Sequence, residues 1–292
     1  MSRTIIITGA ASGIGRALAG RLAARGDHLL LLDIDAAAVV AEAERLNAIA
    51  VQSGGSATGQ RVDVREPESL EAAVRQVVER HGRLDVMVNN AGIGLGGPTE
   101  EMSYEHFQRV FDINISGVMH GSVAAYQQMV AQGSGQIVNI ASLAGLVPSP
   151  FLAAYSASKH AVVGLTLSLA AESDGTGVHM TCVCPGFTDT PILDFNGPED
   201  LPRTSMAGKG RPIAGKLPGG VYAVDKLARD IERAIDRRSL LVITPLTARL
   251  LSGTMRISPR LGTRIAGLVA RGTRRALAEP NVAAAPQAVS AG

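Results

Sequence analysis

Cysteine is nearly absent from this chain: its 292 residues hold two, Cys182 and Cys184. Two apart on one apolar stretch, they point the same way in a strand and are poorly placed for a disulfide. Free thiols fit a reducing cytosol. Charge of one sign is not in excess. The net charge is +2 and no stripe mixes basic with aromatic residues, so nucleic acid is not an expected partner. No apolar run reaches the roughly 20 residues that span a bilayer. The first hydrophobic stretch begins at residue 4, which does not read as a signal peptide. The six histidines show no metal-ligand spacing, and no metal is expected. His160 follows Lys159 but lies about 100° round a helix from it, so it reads as a packing or surface histidine. No internal repeat is present.

What the chain has is apolar residues, 46% of the total, and 33 glycines, enough for one large α/β core. Short apolar runs at 3–8, 28–33, 57–62, 84–88, 135–141, 178–184 and 239–244 read as strands. Helical patterns fall between them at 13–25, 36–47, 67–81, 101–131, 153–172 and 222–237. This alternation implies a doubly wound, mostly parallel sheet of seven strands with helices on both faces.

The first strand runs into G-A-A-S-G-I-G and then a helical pattern, so Gly9, Gly13 and Gly15 occupy a strand-to-helix turn with Ser12 and Ile14 between them. Glycine lets a backbone approach a phosphate, and the helix behind it presents free N–H groups and a positive dipole end. Asp33 ends the second strand, twenty residues past Gly13, where an acidic side chain can accept from adenosine ribose hydroxyls and repel a 2′-phosphate. Asp35 is the better placed cap for the next helix, which frees Asp33 for a ribose. This favours NAD over NADP.

Tyr155 and Lys159 lie one turn apart on one helix face, and Ser142 stands thirteen residues before Tyr155. An ammonium near a phenol favours the phenolate, so the Tyr155 pKa is expected below its reference of about 10. A serine hydroxyl can hydrogen-bond the same substrate oxygen. The three groups suit moving a proton between an alcohol and a ketone.

The motifs in order are T-G-A-A-S-G-I-G (Thr8 to Gly15), Asp63 with Val64, N-N-A-G (Asn89 to Gly92), Asn114, Ser142, Tyr155 with Lys159, and P-G-F-T-D-T (Pro185 to Thr190). On these the chain resembles the short-chain dehydrogenase/reductase family over about residues 3–245. The resemblance implies a Rossmann-type fold and an NAD-dependent exchange of hydride between a secondary alcohol or ketone and the nicotinamide. It implies Tyr155 as acid/base, Lys159 also on the nicotinamide ribose, Ser142 orienting the substrate, and Asn114 holding a water in a proton relay. Asp63 and Val64 would meet adenine. Asn90, Ala91 and Gly92 would pack on the adenosine side, and Pro185, Gly186, Thr188 and Thr190 on the nicotinamide side. A homodimer or homotetramer is expected, with 101–131 and 153–172 at the interface. The alternatives are an NADP-dependent carbonyl reductase and a nucleotide-binding regulator without turnover.

Residues 1–245 read as a single NAD-binding domain that includes a substrate lid, 191–220, rich in Gly and Pro. The pocket-facing candidates Ile93, Leu95, Leu143, Leu146, Val147, Phe151 and Leu193 are apolar, which points to a lipophilic substrate. Residues 246–279 form a basic extension, with seven arginines and no acid between Leu246 and Arg275. Pro259 should open its second helix, with Arg260, Arg264, Arg271, Arg274 and Arg275 on one face and Leu261, Ile265, Leu268 and Val269 on another. Such a helix either contacts an anionic membrane surface peripherally or packs its apolar face on the core or a partner subunit. Residues 280–292 read as disordered. The expected location is cytoplasmic, with peripheral membrane contact through 246–275.

Overall fold

Every strand expected from the apolar runs forms in the computed structural model, which describes residues 2–194, 196–216 and 219–278. The strands are β1 (Thr4–Thr8), β2 (His28–Asp33), β3 (Ser56–Arg61), β4 (Val86–Asn89), β5 (Gly135–Ile140), β6 (Val178–Pro185) and β7 (Leu241–Thr244). All neighbours are parallel, in the order β3-β2-β1-β4-β5-β6-β7. β4 starts two residues later than expected for a local reason. The Leu84 carbonyl accepts from Gln132 Nε2 at 2.6 Å, so a side chain satisfies it instead of the ladder.

The residues of β1 show why the sheet is buried on both sides. Ile5 and Ile7 pack with Leu18, Leu22, Leu46 and Ile231 on one face. Ile6 packs with Leu70, Val77 and Met129 on the other. The first face is covered by α1 (Gly13–Ala24), α2 (Ala36–Ala50) and a later helix, α8. The second is covered by α3 (Pro67–His81) and α5 (Gly117–Gln132), with α4 (Tyr104–Phe111) before it. Strand order reverses between β1 and β4, so their connections leave in opposite directions and a crevice opens at their carboxyl ends.

The helix expected over 101–131 is not uniform. A 3-10 turn (Thr99–Glu101) precedes α4, and a π turn, Asp112–Ser116, joins α4 to α5. Its extra residue places Asn114 where the side chain meets the Ile93 backbone on both sides, accepting from N at 2.9 Å and donating to O at 3.0 Å. α6 (Ala153–Glu172) follows β5 and carries Tyr155 and Lys159.

The segment 191–220 contains a 3-10 turn (Pro191–Asp194) and α7 (Gly210–Lys216), then leads to α8 (Val224–Arg237). After β7 come α9 (Leu246–Ile257) and α10 (Pro259–Ala278), broken at Pro259 as expected. The disorder expected of 280–292 and the side chain of Arg275 lie outside what the structure describes.

Candidate active site

The chain leaves β1 through Gly9, whose φ of +63° is left-handed, and a Cβ there would stand 2.8 Å from Ala91 Cα. A Cβ on Gly15 would collide with the Gly9 carbonyl oxygen. The turn after β1, the start of α1 and the loop after β4 therefore meet backbone to backbone. Thr8 Oγ1 accepts from the backbone N–H groups of Asn90 and Ala91, both at 3.0 Å. Asn90 Nδ2 donates to the carbonyls of Thr8 and Gly9 at 3.0 and 2.9 Å. Asn89 Nδ2 donates to Asn139 Oδ1 at 2.8 Å, so the two asparagines tie neighbouring strands β4 and β5. Ser12 does not cap α1, and the helix has no acid in its first turn. Ser12, Ile14 and the glycines thus frame a helix start that favours an anion. The Pro185–Thr190 loop closes over it. A Cβ on Gly13 would lie 3.3 Å from the Thr190 side chain. Thr188 and Thr190 are buried, with their hydroxyls donating to the carbonyls of Gly186 and Thr188.

Asp33 stands at the edge of this crevice. One carboxylate oxygen accepts from Ala11 N at 2.9 Å and the other from Asp35 N at 3.2 Å, which fixes the side chain yet leaves lone pairs open. Asp35 caps α2 through Ala38 N at 3.0 Å, as its position implied. Asp63 is less free than expected. Arg65 grips both of its oxygens through the backbone N, Nε and Nη2, and this guanidinium holds the Asp63 carboxyl below the usual carboxylate range. Its capacity for an adenine amino group is correspondingly reduced. Val64 packs on the Cα of Gly117.

Across the crevice, Ser142 follows β5 and Tyr155 opens α6, with the Ser142 hydroxyl near enough to the phenol to favour its ionisation. Ser142 Oγ also accepts from Ala144 N at 3.1 Å, which fixes its rotamer. Lys159 is 3% exposed, and its Nζ donates to the Ile140 carbonyl at 2.9 Å. Asn114 is fully buried and donates to Ser158 Oγ at 3.1 Å. The Asn114 and Lys159 side chains converge on Gly92, where a Cβ would lie 3.1 Å from Asn114 Oδ1 and 3.6 Å from Lys159 Nζ. The four expected chemical groups are therefore neighbours.

Their electrostatics differ from the sequence reading. Burial pushes the Tyr155 phenol above its ordinary value, and the nearby Ser142 hydroxyl opposes it. Lys159 Nζ sits 5.7 Å from the Tyr155 ring centroid and is bonded to a carbonyl. The expected depression by the ammonium is therefore outweighed by desolvation. Burial also lowers Lys159 to about 8, with the thiols of Cys184 and Cys182 opposing the shift. Those thiols are free and buried, their sulfurs 3.8 Å apart.

Among the pocket candidates, Leu95 and Val147 are buried, and Leu95 packs with Val110 and Ala154 in place of lining open space. Ile93, Leu143, Leu146, Phe151 and Leu193 are partly exposed. His160 is exposed and, among the described residues, bonds only the Ser156 carbonyl, as its helix position implied. Sequence reasoning missed Ser158, whose hydroxyl links Asn114 to the Tyr155 carbonyl. A polar residue on the inner face of α6, beside Lys159, was the available signal. It also missed Arg211 of α7, which clamps the segment after β6 by pairing with Asp189 and Asp194.

Residues 3–200 match the short chain dehydrogenase family. A 2-(R)-hydroxypropyl-CoM dehydrogenase of Xanthobacter autotrophicus is 40% identical over 198 residues, covering 67% of this chain and 78% of its own. A solved short chain dehydrogenase/reductase from Burkholderia phymatum, in complex with NAD, has a TM-score of 0.77 at 31% identity, covering 88% of this chain and 95% of that one. A short-chain dehydrogenase from Sphingobium yanoikuyae, in complex with NADPH, has a TM-score of 0.71 at 29% identity over 98% of this chain and 99% of that one. The chain belongs to the short-chain dehydrogenase/reductase family. It is an NAD(P)-dependent oxidoreductase of the alcohol dehydrogenase/ketone reductase type.

Proposed function

We propose that the protein interconverts a lipophilic secondary alcohol and its ketone, with NAD as the cofactor. The observation that carries this reading is buried Lys159, its Nζ 5.7 Å from the Tyr155 ring centroid and beside Asn114 at Gly92, with the Ser142 hydroxyl close to the phenol. Tyr155 gives its proton to a ketone oxygen or takes one from an alcohol. Ser142 donates to the same oxygen and orients it. Lys159, beside the ring, stabilises the phenolate when charged, and Asn114 and Ser158 order the path by which protons reach it. The dinucleotide, when bound, supplies the hydride donor or acceptor.

The crevice fits such a cofactor. Gly9, Ser12, Gly13, Ile14 and Gly15 leave backbone room and free amides for its phosphates. Asp33 would accept from the adenosine ribose. Asp63 and Val64 would border adenine, with Asn90, Ala91 and Gly92 beneath. Pro185, Gly186, Thr188 and Thr190 would flank the nicotinamide, and Lys159 its ribose. Asp33 favours NAD because its carboxylate repels a 2′-phosphate. Arg16, the nearby cation on α1, is paired with Glu42 at 3.1 Å. The NADP reading would rest on Arg61, the exposed register partner of Asp33 on β3. Apolar Ile93, Leu143, Leu146, Phe151 and Leu193 support a lipophilic substrate. A homodimer or homotetramer is supported by Met119, Val123 and Val130, an exposed apolar stripe on α5, with Leu167 on α6. Free thiols support a cytoplasmic location.

Turnover of a panel of steroid, terpenoid and fatty secondary alcohols, at equal low NAD or NADP, tests the reading. NAD should give the higher kcat/KM, and Asp33→Ala should weaken NAD while improving NADP. Faster wild-type turnover with NADP would contradict the role given to Asp33.

A further inference from the structure

A surface helix ordinarily buries its large apolar residues and shows its small and polar ones to water. The two C-terminal helices do the reverse. α9 buries Ala248 and Ser252 and leaves Leu246, Leu250 and Ile257, which share one face, 67, 66 and 87% exposed. α10 turns Gly262, Ala266, Ala270 and Thr273 inward, with Gly262 against Met255 of α9. Its Leu261, Ile265, Leu268 and Val269 stay 39–60% exposed on the next face round. The structure thus removes one option left open by the sequence, since this apolar stripe does not pack on the core.

The remaining face of α10 is cationic. Arg260, Arg264 and Arg271 are exposed, and none makes an ion pair among the described residues. Arg274 lies over the Phe151 ring, 5.9 Å from its centroid, and 3.9 Å from Glu100. Between α10 and the body runs a groove of about 450 Å³ lined by Pro148, Ser149, Pro150 and His160 on one wall and Thr263 and Ala266 on the other. α10 therefore lies along the segment that joins Ser142 to Tyr155.

We propose that α9 and α10 form a docking face for an anionic lipid surface, set beside the active-site crevice so that lipophilic substrate reaches it from the bilayer. Leucines flanked by arginines suit the boundary between acyl chains and anionic headgroups. A second copy is the poorer occupant. An isologous contact would bring two arginine rows together in a segment, 246–275, that holds seven arginines and no acid to answer them. Delivery of substrate rests on the lipophilic-substrate reading above. Docking does not.

The test is flotation of the full-length protein with vesicles of 3:1 phosphatidylcholine and phosphatidylglycerol, and with phosphatidylcholine alone. Binding is expected only to the anionic vesicles and should weaken as salt rises. Leu261→Ser with Leu268→Ser should lower the bound fraction about tenfold or more. Arg260→Gln with Arg264→Gln should lower it by a similar factor. Both variants should keep their NAD-dependent thermal shift and their mass by light scattering. Equal flotation of wild type and variants, or no flotation of wild type, would overturn docking. A fall in mass of the leucine variant would overturn it too, assigning the face to a subunit contact. If docking holds but turnover of vesicle-held substrate equals that of detergent-held substrate, the delivery half fails alone.

Discussion

The two sides of the crevice are built differently. On the cofactor side, positions are fixed by backbone contact and by buried, hydrogen-bonded polar groups. Gly9 touches Ala91, Gly15 touches Gly9, Thr8 holds Asn90 and Ala91, and Asn114 holds Ile93. On the substrate side, positions are held by exposed ion pairs and by small-residue contacts. Arg211 grips Asp189 and Asp194, Arg109 grips Asp200, and α10 rests on glycine and alanine. Exposed ion pairs are worth about 0–1 kcal/mol each, whereas a buried polar group left unpaired costs about 1–3 kcal/mol. The first side is a fixed seat for one ligand, and the second can move or change without disturbing it.

Lys159 gives the largest expected departure within the rigid side. Its buried amine titrates at about 8, below the unfolded reference of 10.5. The folded state therefore holds the charged form at a cost that is fully present below about pH 8 and fades as pH rises toward 10.5. Lys159→Met should abolish turnover yet raise stability in urea at pH 7 by about 1–3 kcal/mol, after loss of the Ile140 hydrogen bond. That gain should shrink between pH 8 and 9.5. A destabilised variant at pH 7 would show that the lysine also holds the fold.

Gly15→Ala comes next. In an ordinary exposed helix the change adds up to about 1 kcal/mol of stability. Here the new methyl meets the Gly9 carbonyl, so about 1–3 kcal/mol should be lost, and NAD affinity with it, by calorimetry. A stabilised variant with normal affinity would mean the turn is not closely packed. The smallest effect is expected on the other side. Arg211→Ala should change stability by less than about 1 kcal/mol, because its partners are exposed, while raising KM for the alcohol. A large drop in Tm would erase the contrast between the two sides.

This contrast also explains what was legible in the sequence. Gly9, Asp35 and the Tyr155/Lys159 pair could be read because each is required by a local backbone or helix geometry. The π turn at Asn114 could not, since it depends on an amide meeting Ile93, 21 residues away in the chain. The direction of the Tyr155 shift was misread. Helix spacing brings an ammonium near the ring but does not reveal that it is spent on the Ile140 carbonyl. The helices of the extension were legible from Pro259 and the arginine spacing. Which face docks was not, because a stripe of leucines normally outweighs one of glycine and alanine.

The central claim is that Tyr155, between Ser142 and Lys159, moves the proton. The most direct measurement is turnover of pure Tyr155→Phe across pH, together with its NAD affinity. The account predicts a fall of about 10²–10⁴-fold, NAD affinity nearly unchanged, and loss of the wild-type rise in oxidation rate as the phenol ionises. Turnover within a few fold of wild type, with the same pH profile, would contradict it.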